Sequence, residues 1–115
     1  MLKVELHTHT ADDPEDTIPH TTFELIDRAA ALEYDALAIT LHDHQLDLKP
    51  FARYAAERGI TLIPGVERTI EGRHVLLLNF ARAVDMIPSS NQRALCFHFT
   101  TLVIRASLTP ATYGG

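Results

Sequence analysis

The sequence predicts an α/β fold built on a mainly parallel sheet. Three observations carry that expectation. Apolar segments follow one another in the order strand, helix, strand, helix, strand. Ala36-Leu37-Ala38-Ile39-Thr40 is a continuous apolar run, the pattern of a strand covered on both faces. The two segments between the strands place their apolar residues at helical spacing.

Taken in order, Leu2, Val4 and Leu6 alternate with Lys3 and Glu5, the period of a half-buried first strand, which runs into His7-Thr8-His9-Thr10. Ala11 to Pro19 then breaks all periodicity with Pro14, Pro19 and four acids, Asp12, Asp13, Glu15 and Asp16. It reads as a loop in which Asp12, Asp13 and Glu15 are solvated. Thr21 or Thr22 suits an N-cap, and Leu25, Ile26, Ala29 and Leu32 recur at helical spacing with Glu24 in the first turn, so a helix runs to about Glu33. The second strand ends at Leu41-His42-Asp43-His44. Pro50 suits the first turn of a second helix, whose stripe of Phe51, Tyr54 and Ala55 is stopped by Gly59. Ile60 to Ile63 forms the third strand, punctuated by Pro64-Gly65, with Val66-Glu67 directly after it. Glu71-Gly72-Arg73, lying between Arg68-Thr69-Ile70 and the run from His74 to Leu78, predicts a hairpin or a bulged strand. Ala94 to Leu108 is apolar enough for a strand pair or a buried helix, with Cys96 and His98 as core residues.

Composition narrows the function classes. A chain of 115 residues with 46% apolar and 22% charged residues suits one soluble domain with one core. A single cysteine forbids an internal disulfide, and no signal peptide or membrane-length apolar run is present, so a cytoplasmic protein is expected. Residues 1–71 hold 14 acids against 6 Lys and Arg, and residues 72–115 hold 1 against 4, so balances of −8 and +3 make up the net −5. The acidic first part argues against a nucleic-acid groove and suits a site that collects divalent cations.

The histidines supply the chemistry. Residues two apart in a strand point the same way, so His7 and His9 can reach one metal ion together. His42 follows the second strand and Glu67 the third, which places ligand types at three successive strand ends. Neutral imidazole and carboxylate suit zinc, iron and manganese, and parallel α/β folds put functional groups at the carboxyl ends of strands. Bland readings stand beside these: Glu67 could cap a turn or pair with Arg68, and Asp43 and His44 fit a solvated loop as well as a ligand role. His20 sits before a helix, where histidine is commonplace, and His74 at a strand start reads as structural.

Taken together, His7-Thr8-His9-Thr10, Ala38-Ile39-Thr40-Leu41-His42-Asp43-His44 and Pro64-Gly65-Val66-Glu67 resemble the start of the PHP family, named for polymerase and histidinol phosphatase. The resemblance covers residues 2–79. It implies a partial, distorted, TIM-like β/α barrel: the first three β/α units, then a hairpin and an atypical tail. It also implies two or three divalent ions (Zn, Mn or Fe) in a complete site, and hydrolysis of a small phosphorylated substrate by a metal-activated water. By position, His7 and His9 correspond to first-motif ligands, His42 to the second-motif histidine and Glu67 to a bridging carboxylate. These four form the expected catalytic set. Asp16 and His20 are both candidates for a further metal ligand in the first loop, and spacing does not choose between them.

Two departures bear on activity. Leu41 stands where the family often has Asp, and no Asp-x-His motif follows residue 74. With the charge switch near residue 72, this predicts a PHP portion over 1–80 and a divergent tail over 81–115 from a truncated or frame-shifted reading frame. Two functional readings result. The first is a phosphoesterase compromised by missing late ligands; the second is a non-catalytic metal-binding PHP-like module. An open parallel sheet with an unpaired last strand further predicts self-association through that edge unless residues 94–108 cover it.

Overall fold

Helix α1 (Thr22–Ala31) begins where Thr21 accepts the backbone N–H of Glu24 while the Glu24 carboxylate accepts the N–H of Thr21, a reciprocal cap that satisfies two otherwise orphaned donors. It ends without glycine: Glu33 adopts a left-handed φ of 61°, so that its N–H reaches Ala30 O and that of Tyr34 reaches Ala29 O. Helix α2 (Lys49–Glu57) ends the same way with Gly59 at φ 75°, the conformation the sequence anticipated there. The computed structural model describes residues 1–80 and the strand 97–104.

Strands β1 (Val4–Glu5), β2 (Ala36–Ile39), β3 (Thr61–Ile70), β4 (Arg73–Leu78) and β5 (Phe97–Ile104) form one sheet in that order. Every pairing is parallel except β3 with β4. The expected α/β, mainly parallel architecture is therefore present, and the sheet curls into a half-barrel. In β2 the side chains alternate: Leu37, Ile39 and then Leu41 pack with Ile26, Ala29, Ala55 and Leu62 beneath the helices, while Ala38 and Thr40 are buried on the other face. Burying these apolar side chains stabilises the fold by roughly 25 cal/mol per Å² removed from water. Asp27 links the helices outside this core, accepting from Tyr54 Oη at 2.7 Å and Arg58 Nε at 2.9 Å.

The expected third strand is corrected. Pro64-Gly65 does not end it; β3 runs from Thr61 to Ile70 and changes partner at that dipeptide. Residues 61–64 pair with β2, and residues 65–70 pair with β4. Gly65 is required by crowding, because a Cβ there would lie 2.9 Å from Thr40 Cγ2 and 3.0 Å from Leu78 Cδ2. Glu67 accordingly lies within β3 rather than after it.

The expected hairpin forms, with Glu71 and Gly72 at φ 50° and 73° in a two-residue turn between paired Ile70 and Arg73. The first strand is shorter than its alternation suggests, and Leu2 and Val4 are exposed, β1 being an edge among the described strands. At the edge beyond β4 the covering alternative holds, since β5, which lies within residues 94–108, pairs along it. The rest of Ala94 to Leu108, Cys96 included, and the side chain of His98 lie outside the described residues. Among the described residues, no helix is long and apolar enough to cross a membrane.

Candidate metal centre

The chain after β1 is held against β2 by a pair of threonines. Thr8 Oγ1 donates to Ala38 O at 2.7 Å, and Thr40 N donates to Thr8 O at 2.8 Å. That extended register leaves His7 and His9 to project together, and their Nε2 atoms lie 3.3 Å apart. His42 is bridged to β3 beside Glu67: Glu67 N donates to Leu41 O at 2.9 Å and Asp43 N to Glu67 O at 2.8 Å. Leu41 itself is fully buried in the core under the helices, so the side chain at this position faces away from the site.

Glu67 is the centre of the cluster and is 5% exposed. Its Oε1 is in direct contact with His7 Nε2 and lies 3.7 Å from His9 Nε2. Its Oε2 lies 2.7 Å from His42 Nε2 and 3.5 Å from His74 Nδ1. The structure thus brings together His7, His9, His42 and Glu67 and adds His74, whose position at a strand start had suggested only a structural part.

On the far side of the same imidazoles sits Asp13, and the expectation of a solvated loop is corrected for it. Its carboxylate is buried and accepts the N–H groups of Glu15 at 2.8 Å, Asp16 at 3.0 Å and His42 at 3.1 Å. The same Oδ2 lies 2.8 Å from His9 Nδ1 and 2.9 Å from His42 Nδ1. Burial alone would raise the Asp13 pKa, but the three backbone donors and the His9 ring outweigh it and hold the carboxyl below its usual range. Pro14 offers no N–H, so the loop turns back through residues 15 and 16 and folds over its own aspartate. The signal in the sequence was slight: Asp13 falls four residues after His9 and just before a proline.

The remaining loop candidates are placed differently. Asp16 has a side chain 56% exposed, and its Oδ2 is 3.5 Å from His42 Nδ1. His20 is directed at the backbone, with Nε2 2.8 Å from His9 O, and so braces the strand end. Asp12 accepts from Thr22 Oγ1 at 2.7 Å. Asp43 faces the other side of β3, where its Oδ1 is 3.4 Å from Arg68 Nε, and His44 is exposed.

The donor set can be tested for its fit to a cation. A neutral imidazole has one N–H, yet His9 and His42 each turn both nitrogens towards carboxylates, Asp13 at one end and Glu67 at the other. Whichever tautomer forms, one lone pair on each ring faces a carboxylate. A proton or a metal ion relieves that repulsion. In the metal-free protein burial pulls the His42 pKa down, but the hydrogen bond to Asp13 and the charges of Glu67, Asp13 and Asp16 together raise it above 6.5. A divalent cation answers the same demand, and the groups His7, His9, Glu67 and His9, Asp13, His42 each converge closely enough to hold one.

No family model matches the chain. A relative does. Over 77 residues, the chain is 39% identical to a 3′,5′-nucleoside bisphosphate phosphatase of Chromobacterium violaceum, an alignment covering 66% of this chain and 26% of the relative. The chain therefore spans about a quarter of the length of the curated relative it matches.

Proposed function

We propose that residues 2–79 form the metal-holding portion of a PHP-type phosphoesterase, built to hydrolyse phosphate esters in small molecules. The observation that carries this reading is the buried Glu67 carboxylate ringed by His7, His9, His42 and His74, with two of those rings facing carboxylates at both ends. The likeness to a phosphatase supports it. Imidazole and carboxylate donors fit zinc, manganese or iron, and an ion bound there would supply Lewis acidity for a phosphoryl oxygen and lower the pKa of water.

The chain's own groups divide the remaining work. Glu67 lies deep and holds negative charge where cations are wanted. His7 is 40% exposed and stands at the solvent rim, so a substrate phosphate enters past it and can be hydrogen-bonded there. His42 and His9 stack 4.4 Å apart, which restrains both rings against rotation. Asp16, exposed beside His42, belongs to this reading as a rim group, and His20 as a brace for His9. The substrate class is phosphomonoesters, nucleotides or sugar phosphates, and the relative's stated activity makes a nucleoside bisphosphate the first to try. A cytoplasmic location belongs to the same reading.

The test pairs elemental analysis of the purified chain with turnover of a generic phosphoester and a nucleoside bisphosphate, with manganese or zinc added. Turnover abolished by His9→Ala supports the hydrolase. Metal binding without turnover points instead to a non-catalytic metal-binding module. Absence of bound metal after reconstitution removes the reading altogether.

A further inference from the structure

The loop that carries Asp13 is fastened at its neck by buried hydroxyl groups that no ligand role accounts for. Thr10 and Thr22 are 0% and 1% exposed, and their Oγ1 atoms lie 2.9 Å apart. We infer that Thr22, acting with Thr10 and Asp12, is a positioning residue of the metal centre, because its hydroxyl fixes the turn that delivers the Asp13 carboxylate to His9 and His42. The inference rests on the centre proposed above and concerns how that centre is held.

The direction of each bond follows from the protons available. A carboxylate only accepts, so Thr22 donates its hydroxyl proton to Asp12 Oδ2 at 2.7 Å. That proton is the only one on Thr22 Oγ1, so Thr10 must be the donor in the 2.9 Å bond between the two hydroxyls. Thr10 Oγ1 in turn accepts the backbone N–H of Asp12 in a longer bond of 3.3 Å. The other acceptor near the Thr10 proton, Asp12 Oδ2, is 3.5 Å away, past the roughly 3.0 Å reach of an O–H···O bond. A closed circuit results, from the Asp12 N–H through Thr10 and Thr22 back to the Asp12 carboxylate, and both buried hydroxyls are satisfied in it.

The circuit matters for what stands next to it. Asp13 N donates to Thr10 O at 2.9 Å, which makes Ala11 and Asp12 the central pair of a turn whose last residue is Asp13. The two adjacent carboxylates are claimed by different elements. Asp12 is held by the first residue of α1, and Asp13 by His9, His42 and the N–H groups of Glu15 and Asp16. A backbone bond from Ala11 N to His20 O at 2.8 Å closes the same neck. Thr21, the neighbour of Thr22, does separate work as the cap of α1 through Glu24. Without the Thr22 hydroxyl, Asp12 loses its shortest anchor and the turn loses its tie to the helix, with Asp13 the next residue along.

The experiment is backbone amide hydrogen exchange by NMR on the metal-free 115-residue chain, with zinc affinity measured on the same variants. Thr22→Val removes the hydroxyl and keeps the shape. It should cut protection about 10-fold or more at Glu15, Asp16 and His42, whose N–H groups bond Asp13, while Leu37 and Ile39 in β2 keep theirs. Zinc affinity should fall about 10-fold. Thr22→Ser restores the hydroxyl and should recover both readouts, whereas Thr21→Ala removes the cap of the same helix and should move neither. Wild-type protection at those three amides in folded Thr22→Val, or an equal loss in Thr21→Ala, overturns the inference. If Thr22→Val does not fold, Asp12→Ala at its exposed turn position must show the same loss, and full protection there is equally fatal. Protection lost in the variants of a protein that takes up no zinc sustains the circuit and sinks the metal centre. Zinc uptake with protection unchanged in Thr22→Val does the reverse.

Discussion

Asp13 and Glu67 are both buried carboxylates, they flank the same two imidazoles, and the fold treats them in opposite ways. Asp13 comes from an irregular loop that wraps its charge in three backbone N–H groups, so its ionised form is stabilised from within. Glu67 comes from a regular strand whose backbone groups are committed to their ladder, so only side chains can answer its charge. Those side chains are imidazoles, which answer it fully only when protonated or when a cation intervenes. The difference teaches that a loop can answer a buried charge with its own backbone, whereas a strand, its backbone already paired, leaves that task to side chains or a cation.

The largest effect expected from breaking this pair is on metal. Glu67→Gln should lower zinc or manganese affinity by 100-fold or more, on the order of 3 kcal/mol, while changing metal-free stability by less than about 1 kcal/mol, because the amide relieves the facing lone pairs. Unaltered metal content by elemental analysis would refute it. Asp13→Ala should show the opposite profile in metal-free protein, a loss of about 2–4 kcal/mol as three backbone donors are left without their acceptor. Urea unfolding measures this, and a midpoint equal to wild type would contradict the asymmetry.

The pH response sharpens the contrast because the two sides have opposite signs. Asp13 has a folded pKa below its unfolded value of 3.8, so its contribution is present above that value and is lost as pH falls below it. His42 has a folded pKa above 6.5, so in metal-free protein its contribution is complete below 6.5 and is lost as pH rises through the folded value. The rise in melting temperature on adding zinc should run the other way and grow as pH climbs past 6.5, since the ion and the proton compete for His42. A zinc-induced shift that is flat from pH 6 to 9 would count against ligation by His42. The smallest effect is reserved for the exposed acid: Asp16→Ala should move metal-free stability by less than about 0.5 kcal/mol in the same urea experiment.

Much of the scaffold was legible because it rests on local rules. The Thr21 cap with Glu24, Pro50 at the start of α2, Gly59 at its end and the Glu71-Gly72 turn each declare themselves within a few residues. Three features were not legible, each for a physical reason. Pro64-Gly65 looks like a break because both residues weaken a ladder, yet here they sit where the strand exchanges neighbours, and only the packing of Thr40 and Leu78 reveals it. Val4 and Leu2 alternate correctly but are exposed beside β1, an edge among the described strands, and position in the sheet is a long-range property. Asp13 is one of four acids in an aperiodic loop, and only its place four residues after His9 and just before Pro14 sets the buried one apart from the exposed ones. In the candidate centre, His7, His9, His42 and Glu67 were visible as residues, but the place of Glu67 inside β3 and the burial of Asp13 were not.

The exchange of partners within β3 has a consequence for the polarity of the pocket. Glu67 and Arg68 are neighbours on one strand and face opposite ways, the carboxylate towards the histidines and the guanidinium towards Asp43. Sliding that strand by a single residue would swap an anion for a cation at the heart of the cluster. The tight reversal at Glu71-Gly72 sets the alignment, so a bend at the periphery acts as the keeper of the sign of the electric field within.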